Sequence, residues 1–160
     1  MIVRIGDPVP DVPVQTLDNN GLATVSVATL ARVGRLVLFA VPGAFTPACS
    51  ARHLPGFVEH AVDFRAKGVA TVACIGMNDA FVMDAWGRAN QANGHVQMLG
   101  DGNGTFTRAM GLAHDARAFG MGWRSQRYAM VAENARIAQL FVDEPGAFEV
   151  SAAPHVLAHI

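Results

Sequence analysis

The sequence predicts an α/β layered domain, and three observations predict it. Residues 35–41 and 69–75 are nearly continuous apolar runs, the pattern of strands buried on both faces. Each is followed by a segment of helical period, 47–68 and 80–91. Paired strand-like segments stand near either end, one pair turning at Asp18-Asn19-Asn20-Gly21 and the other at Glu133-Asn134-Ala135-Arg136. Helices and strands mixed in this order bury their apolar faces best as layers.

In chain order, Asp7-Pro8-Val9-Pro10 reads as an extended entry to a hairpin of strands 12–17 and 23–27. Residues 27–32 suit one helical turn before the apolar strand 35–41. From Pro47, residues such as Cys49, His53, Phe57, His60 and Phe64 recur at helical intervals until Gly68 ends the segment. Pro55 inside it removes a backbone donor and crowds the preceding turn, which predicts a kink there. After strand 69–75, Asn78-Asp79 caps a helix over 80–91. Residues 96–99 read as a third strand and 102–110 as a short helix after a glycine-rich turn. Residues 113–126 are irregular; strands 127–132 and 137–142 and a terminal helix over 151–159 complete the chain.

The length of 160 residues fits one domain, spanning 1–160, that can close a sizeable core. Half the residues are apolar and 16% are charged, a balance that opposes disorder. A net charge of −1 without a basic run offers nucleic acid and anionic lipid no electrostatic footprint. No apolar run approaches the ~18 residues of a membrane span, and the N-terminus lacks a signal-peptide pattern. Two cysteines far apart, Cys49 and Cys74, form neither a disulfide framework nor a CxxC pair. A reducing cytoplasm is the expected location.

The chemistry points to Cys49. Thr46 is a good N-cap, Pro47 suits the first helical position, and Cys49 falls in the first turn, where backbone N–H groups favour an anion. A thiol of pKa ~8.5 can fall to roughly 3.5–7.5 at a helix start or beside a cation. Most cysteines are small buried hydrophobes, and the cap, proline and helix position together distinguish this one. Acyl groups, disulfides and peroxides all remain open as its targets.

The stretch Pro42-Gly43-Ala44-Phe45-Thr46-Pro47-Ala48-Cys49 has the P-xxx-T-xx-C pattern of the peroxiredoxins and resembles their type II, or peroxiredoxin-five, branch. His53-Leu54-Pro55-Gly56-Phe57, Asn78-Asp79-Ala80-Phe81, Trp86-Gly87-Arg88 and Arg127-Tyr128-Ala129-Met130-Val131 extend the likeness over nearly the whole chain. The resemblance implies a thioredoxin-like three-layer fold with a central mixed sheet and an N-terminal hairpin, and a thiol peroxidase acting on hydrogen peroxide and alkyl hydroperoxides. It implies Cys49 as the peroxidatic residue, Thr46 as the hydroxyl that positions the peroxide and Pro42 as a shield from water. Arg127 matches the cation that favours the thiolate and the leaving oxygen. Arg124 is its rival by spacing; the motif selects Arg127.

The resemblance further implies a homodimer packed around the active-site loop, and no cofactor. Residues 148–154 lack the resolving cysteine of some type II members, so an external thiol is the expected reductant of the Cys49 sulfenic acid, with a bridge to Cys74 the lesser alternative. Glutathione with glutaredoxin is the first expectation and thioredoxin the second. Cys74 matches a second cysteine common in the subfamily and reads as a buried, inert thiol. Cys49 and His53 share a helix face but lack further metal ligands, so no metal site is expected. His53 and His60 are read as packing or interface residues, and Phe45, Phe81, Met83 and Trp86 as core or dimer contact. The competing readings are a peroxide-sensing binding module without sustained turnover and a thiol–disulfide oxidoreductase, the latter opposed by the missing CxxC.

Overall fold

The structure is a computed structural model describing residues 1–160, with the side chain of Cys49 outside the described part. Nine strands and six α-helices follow one another among the described residues. Strands β1 (Pro13–Asp18) and β2 (Gly21–Ser26) form the N-terminal hairpin, with Asp18 opposite Gly21 across the expected turn. Helix α1 (Val27–Arg32) leads to β3 (Arg35–Ala40). Next come a helical segment, β4 (Val69–Gly76), α4 (Ala80–Ala89), β5 (Gln97–Gly100) and α5 (Thr105–Met110). The short β6 (Ala113–Asp115) and β7 (Trp123–Ser125) pair as a separate ribbon. Strands β8 (Tyr128–Glu133) and β9 (Arg136–Val142) form the second hairpin, and α6 (Ala153–Ala158) ends the chain.

Seven strands make one mixed sheet in the order β2-β1-β5-β4-β3-β8-β9. Strands β3, β4 and β5 run parallel, and the two hairpins add antiparallel to either side. Alternation along β3 divides the core. Leu36, Leu38 and Ala40 face a cluster with Tyr128, Met130 and Phe106. Val37 and Phe39 face the other side with Phe57, Phe64, Trp86 and Val156. Each β3 side chain from Leu36 to Ala40 is fully buried, as a central strand with helices on both faces requires. These are the three layers that the family resemblance implies.

The segment from Pro47 to Gly68 differs from a single kinked helix. It opens helically at Pro47, widens into a π-helical turn at Cys49–His53, and continues as α2 (Leu54–Glu59) and α3 (Ala61–Ala66). Pro55 stands in the first turn of α2, and its missing N–H and bulky ring disfavour an ordinary turn just before it. The wide turn accommodates the proline. His60 interrupts the segment again at φ −96°, although bonds from His60 N to Gly56 O and from Phe64 N to His60 O cross the break.

Residues 113–126, expected to be irregular, contain the β6–β7 ribbon and a 3₁₀ turn at Arg117–Phe119. Strands of three residues are too short to show alternation. The terminal helix is shorter than the predicted 151–159, because Ser151 serves another purpose described below.

Candidate active site

Strand β3 delivers the chain into a tight loop, residues 41–46, that leads straight into the helical segment carrying Cys49. Two hydrogen bonds shape this loop. The Thr46 hydroxyl donates to the Gly43 carbonyl at 2.7 Å, and the Ala44 N–H donates to Asn78 Oδ1 at 3.0 Å. Phe45 at the tip adopts φ 62°, a left-handed conformation rare for a bulky residue, and remains 58% exposed. The Thr46 carbonyl accepts the Ser50 N–H at 2.9 Å, so Thr46 occupies the N-cap position by its backbone.

The side chain of Cys49, the thiol assigned from the sequence, lies outside the described residues; its backbone opens the π-helical turn. Trp86 donates its indole N–H to the Ser50 hydroxyl at 2.9 Å, anchoring the turn to α4. A pocket of about 420 Å³ opens beside the segment, with Pro42, Thr46 and Arg127 among its walls. Phe119 and Met121 contribute apolar surface and His114 and Asp143 polar surface. Three of the four site residues drawn from the sequence thus share one pocket.

Arg127 immediately precedes β8, one position outside the predicted strand boundary. Its Nη1 lies 2.8 Å from Nδ1 of His53, and its guanidinium sits 5.7 Å from the Phe148 ring centroid. Arg124 takes a different place. Its Nε donates to the Met121 carbonyl at 2.9 Å, and its guanidinium stands behind Gly43.

The sequence reading assigns His53 to packing or an interface, and the structure gives it more to do. The ring is completely buried, with centroids 4.9 Å from Phe39, 5.7 Å from Phe57 and 5.0 Å from Phe148. Its Nε2 is 3.1 Å from the Ser151 carbonyl. Arg127 has only protons to offer and a carbonyl only lone pairs, so the ring is neutral, accepting at Nδ1 and donating at Nε2. Burial above all, then the Arg127 charge, push its pKa down to about 3, against a smaller opposing pull from the Ser151 carbonyl.

The other sequence readings divide. Met83 and Trp86 are fully buried core, whereas Phe81 is 59% exposed and, like Phe45, belongs to the surface of the chain. Cys74 is buried on β4, opposite Phe39 of β3, within the apolar cluster on the Phe57 side of the sheet. Asp79 caps α4 as expected, accepting from Val82 N–H at 2.8 Å. Its neighbour Asn78 instead holds the loop of residues 41–46, through the Ala44 N–H. Among the described residues, no three His, Cys, Asp or Glu side chains gather in a metal-binding group, and no helix is long and apolar enough to cross a membrane.

Comparison with known proteins accords with this geometry. The Redoxin family model matches residues 4–157. Peroxiredoxin-2D of Arabidopsis thaliana is 42% identical over 156 residues, covering 97% of this chain and 96% of the relative. The crystal structure of reduced Prx3 from Vibrio vulnificus in complex with hydrogen peroxide superposes with a TM-score of 0.95 at 44% identity, over 99% of both chains. Peroxiredoxin 5 from Alvinella pompejana superposes with a TM-score of 0.84 at 31% identity, over 98% of this chain and 96% of that one. The chain therefore belongs to the peroxiredoxins, the thiol-dependent peroxidases of the redoxin family.

Proposed function

We propose that Cys49 is the peroxidatic cysteine, working with Thr46, Arg127 and Pro42, and that an external thiol completes the cycle. The observation that carries this reading is the pocket that Pro42, Thr46 and Arg127 line beside the turn bearing Cys49. The complex of the Vibrio vulnificus relative with hydrogen peroxide supports the same substrate here. The apolar walls add room for the alkyl group of an organic hydroperoxide.

The Cys49 thiolate attacks one peroxide oxygen in line with the O–O bond. An S–O bond forms, the O–O bond breaks, and the departing oxygen takes a proton to leave as water or an alcohol. Cysteine becomes sulfenic acid, oxidised by two electrons. The Thr46 proton is committed to Gly43 O, so its oxygen presents lone pairs to a peroxide O–H and fixes the line of attack. Arg127 opposes the charge that grows on the leaving oxygen, and Pro42 keeps bulk water from the sulfur. One glutathione thiol then condenses with the sulfenic acid, releasing water. A second thiol, from glutaredoxin, cleaves the mixed disulfide; in the thioredoxin alternative both thiols come from thioredoxin, which leaves as its own disulfide.

We further assign the protein to the cytoplasm, as one domain and as a homodimer. Exposed Phe45 and Phe81 support a self-associating surface near the loop. The test is mass spectrometry of peroxide-treated protein with and without glutathione. A sulfenic or glutathionyl adduct on Cys49, lost in Cys49→Ser together with turnover, is the expected result. Full peroxidase activity in Cys49→Ser would overturn the assignment. A Cys49–Cys74 disulfide would replace the external thiol in the second half-reaction. Rapid oxidation that no small thiol or redoxin reverses would favour the sensing module instead.

A further inference from the structure

Four residues distant in sequence close a ring of hydrogen bonds behind Arg127. The Arg127 guanidinium donates to His53 Nδ1 at 2.8 Å, and His53 Nε2–H donates to the Ser151 carbonyl at 3.1 Å. The Ser151 hydroxyl donates to the Asp143 carboxylate. The Asp143 N–H then returns to the Arg127 carbonyl at 3.0 Å. Asp143 also accepts the backbone N–H groups of Glu149, Val150 and Ser151 at 3.0, 2.8 and 3.4 Å. One carboxylate thereby gathers the whole turn that presents the Ser151 carbonyl.

We propose that Asp143 and Ser151 are positioning residues for the Arg127 guanidinium, acting through His53. The inference rests on the roles of Cys49 and Arg127 given above. The direction of every bond in the ring is fixed. A guanidinium can only donate and a carbonyl can only accept, so His53 satisfies both neighbours in just one of its two neutral tautomers. The other tautomer would place a proton against the guanidinium and a lone pair against the carbonyl. His53 and Ser151 are completely buried and Asp143 is 5% exposed, so bulk water does not readily substitute for a lost partner. Displacing the Ser151 carbonyl therefore leaves His53 without the bond that selects its tautomer, and the Nδ1 lone pair that Arg127 meets is no longer held in place. The Phe148 ring, 5.0 Å from His53 and 5.7 Å from the Arg127 guanidinium, belongs to the same turn. The C-terminal segment is in this way part of the device that sets the thiol's reactivity.

The test compares Asp143→Asn, Ser151→Ala, His53→Asn and His53→Phe in the full chain, each alone and combined with Arg127→Gln. The readouts are the Cys49 thiolate pKa, from the pH dependence of alkylation resolved by mass spectrometry, and the rate constant with hydrogen peroxide. Folding is checked by thermal unfolding. Asp143→Asn and His53→Phe are expected to raise the thiolate pKa and slow the peroxide reaction about tenfold, and Ser151→Ala somewhat less. His53→Asn keeps an acceptor near the position of Nδ1 and should recover part of the loss. In the Arg127→Gln background these changes should have no further effect.

An unchanged thiolate pKa and rate in folded Asp143→Asn and Ser151→Ala, alongside a slow Arg127→Gln, would overturn the positioning role alone. Effects that add in full to that of Arg127→Gln would overturn it too. A fully active Arg127→Gln would overturn both the role of Arg127 and the ring that serves it.

Discussion

Arg127 and His53, 74 positions apart in sequence, meet at 2.8 Å through a guanidinium N–H and an imidazole lone pair. The contact joins a buried neutral histidine to the proposed active site, and burial ties its ionisation to stability. Because the folded-state pKa, about 3, lies below the ordinary value of 6.5, the unfolded chain takes the proton first as pH falls. The contribution is complete above about pH 6.5 and is lost progressively as the pH drops toward about 3. Over that window this one group should remove stability at up to ~1.4 kcal/mol per pH unit. Urea unfolding at several pH values should show that component in the native protein and not in His53→Asn. Parallel pH profiles for the two proteins would contradict it.

Arg127 and Arg124 should separate cleanly. Arg127→Lys keeps the charge but loses the planar fork that reaches His53, and its kcat/KM for hydrogen peroxide should fall on the order of a hundredfold. Arg124 bonds the Met121 carbonyl behind the loop, so Arg124→Ala should stay within about threefold of the native value. Steady-state peroxidase assays decide between them. A larger loss from Arg124→Ala would transfer the catalytic role to that residue.

Much of this arrangement is legible in the sequence where one side chain answers to its neighbours. The β3 run from Leu36 to Ala40 declares a central strand, and Asp79 declares a cap, since both signals are local. Thr46, Pro42 and Cys49 lie within one short motif. His53 and Asn78 are visible only as a histidine on a helix and a polar residue before a cap. Their partners, Arg127 and the Ala44 N–H, come from loops that the fold brings near. Asp143 and Ser151 are harder still, because a carboxylate that organises three backbone N–H groups has no periodicity of its own. The π-helical turn is half legible: Pro55 announces a disturbance, but the widening lies one turn earlier.

Gly100 should tolerate no side chain. It ends β5 where the N-terminus of α4 crosses the sheet, and a Cβ there would fall 2.5 Å from Ala80 N and 2.8 Å from the Asp79 carbonyl carbon. These are backbone atoms of a capped helix start and have no rotamer by which to retreat. Gly100→Ala should therefore cost about 3 kcal/mol or more, near the upper end for overpacking. Chemical denaturation measures it. A loss below about 1 kcal/mol would show that α4 shifts easily on the sheet.

Trp86 should report the redox state of the turn bearing Cys49. Its indole N–H donates to the hydroxyl of Ser50, the residue next to Cys49, and the indole is fully buried, whereas Trp123 is 49% exposed. Replacing Trp123 by Phe leaves Trp86 as the sole tryptophan, since the chain has two. Converting the thiolate to sulfenic acid exchanges an anion for a neutral group that can donate a hydrogen bond, which alters the field at the Ser50–Trp86 bond. Stoichiometric peroxide should change the Trp86 emission of Trp123→Phe at the rate of thiol loss, and glutathione should reverse the change. The same addition should leave the emission of the Cys49→Ser, Trp123→Phe protein unaltered. A signal that persists without the Cys49 thiol would mean that Trp86 senses peroxide through some other group.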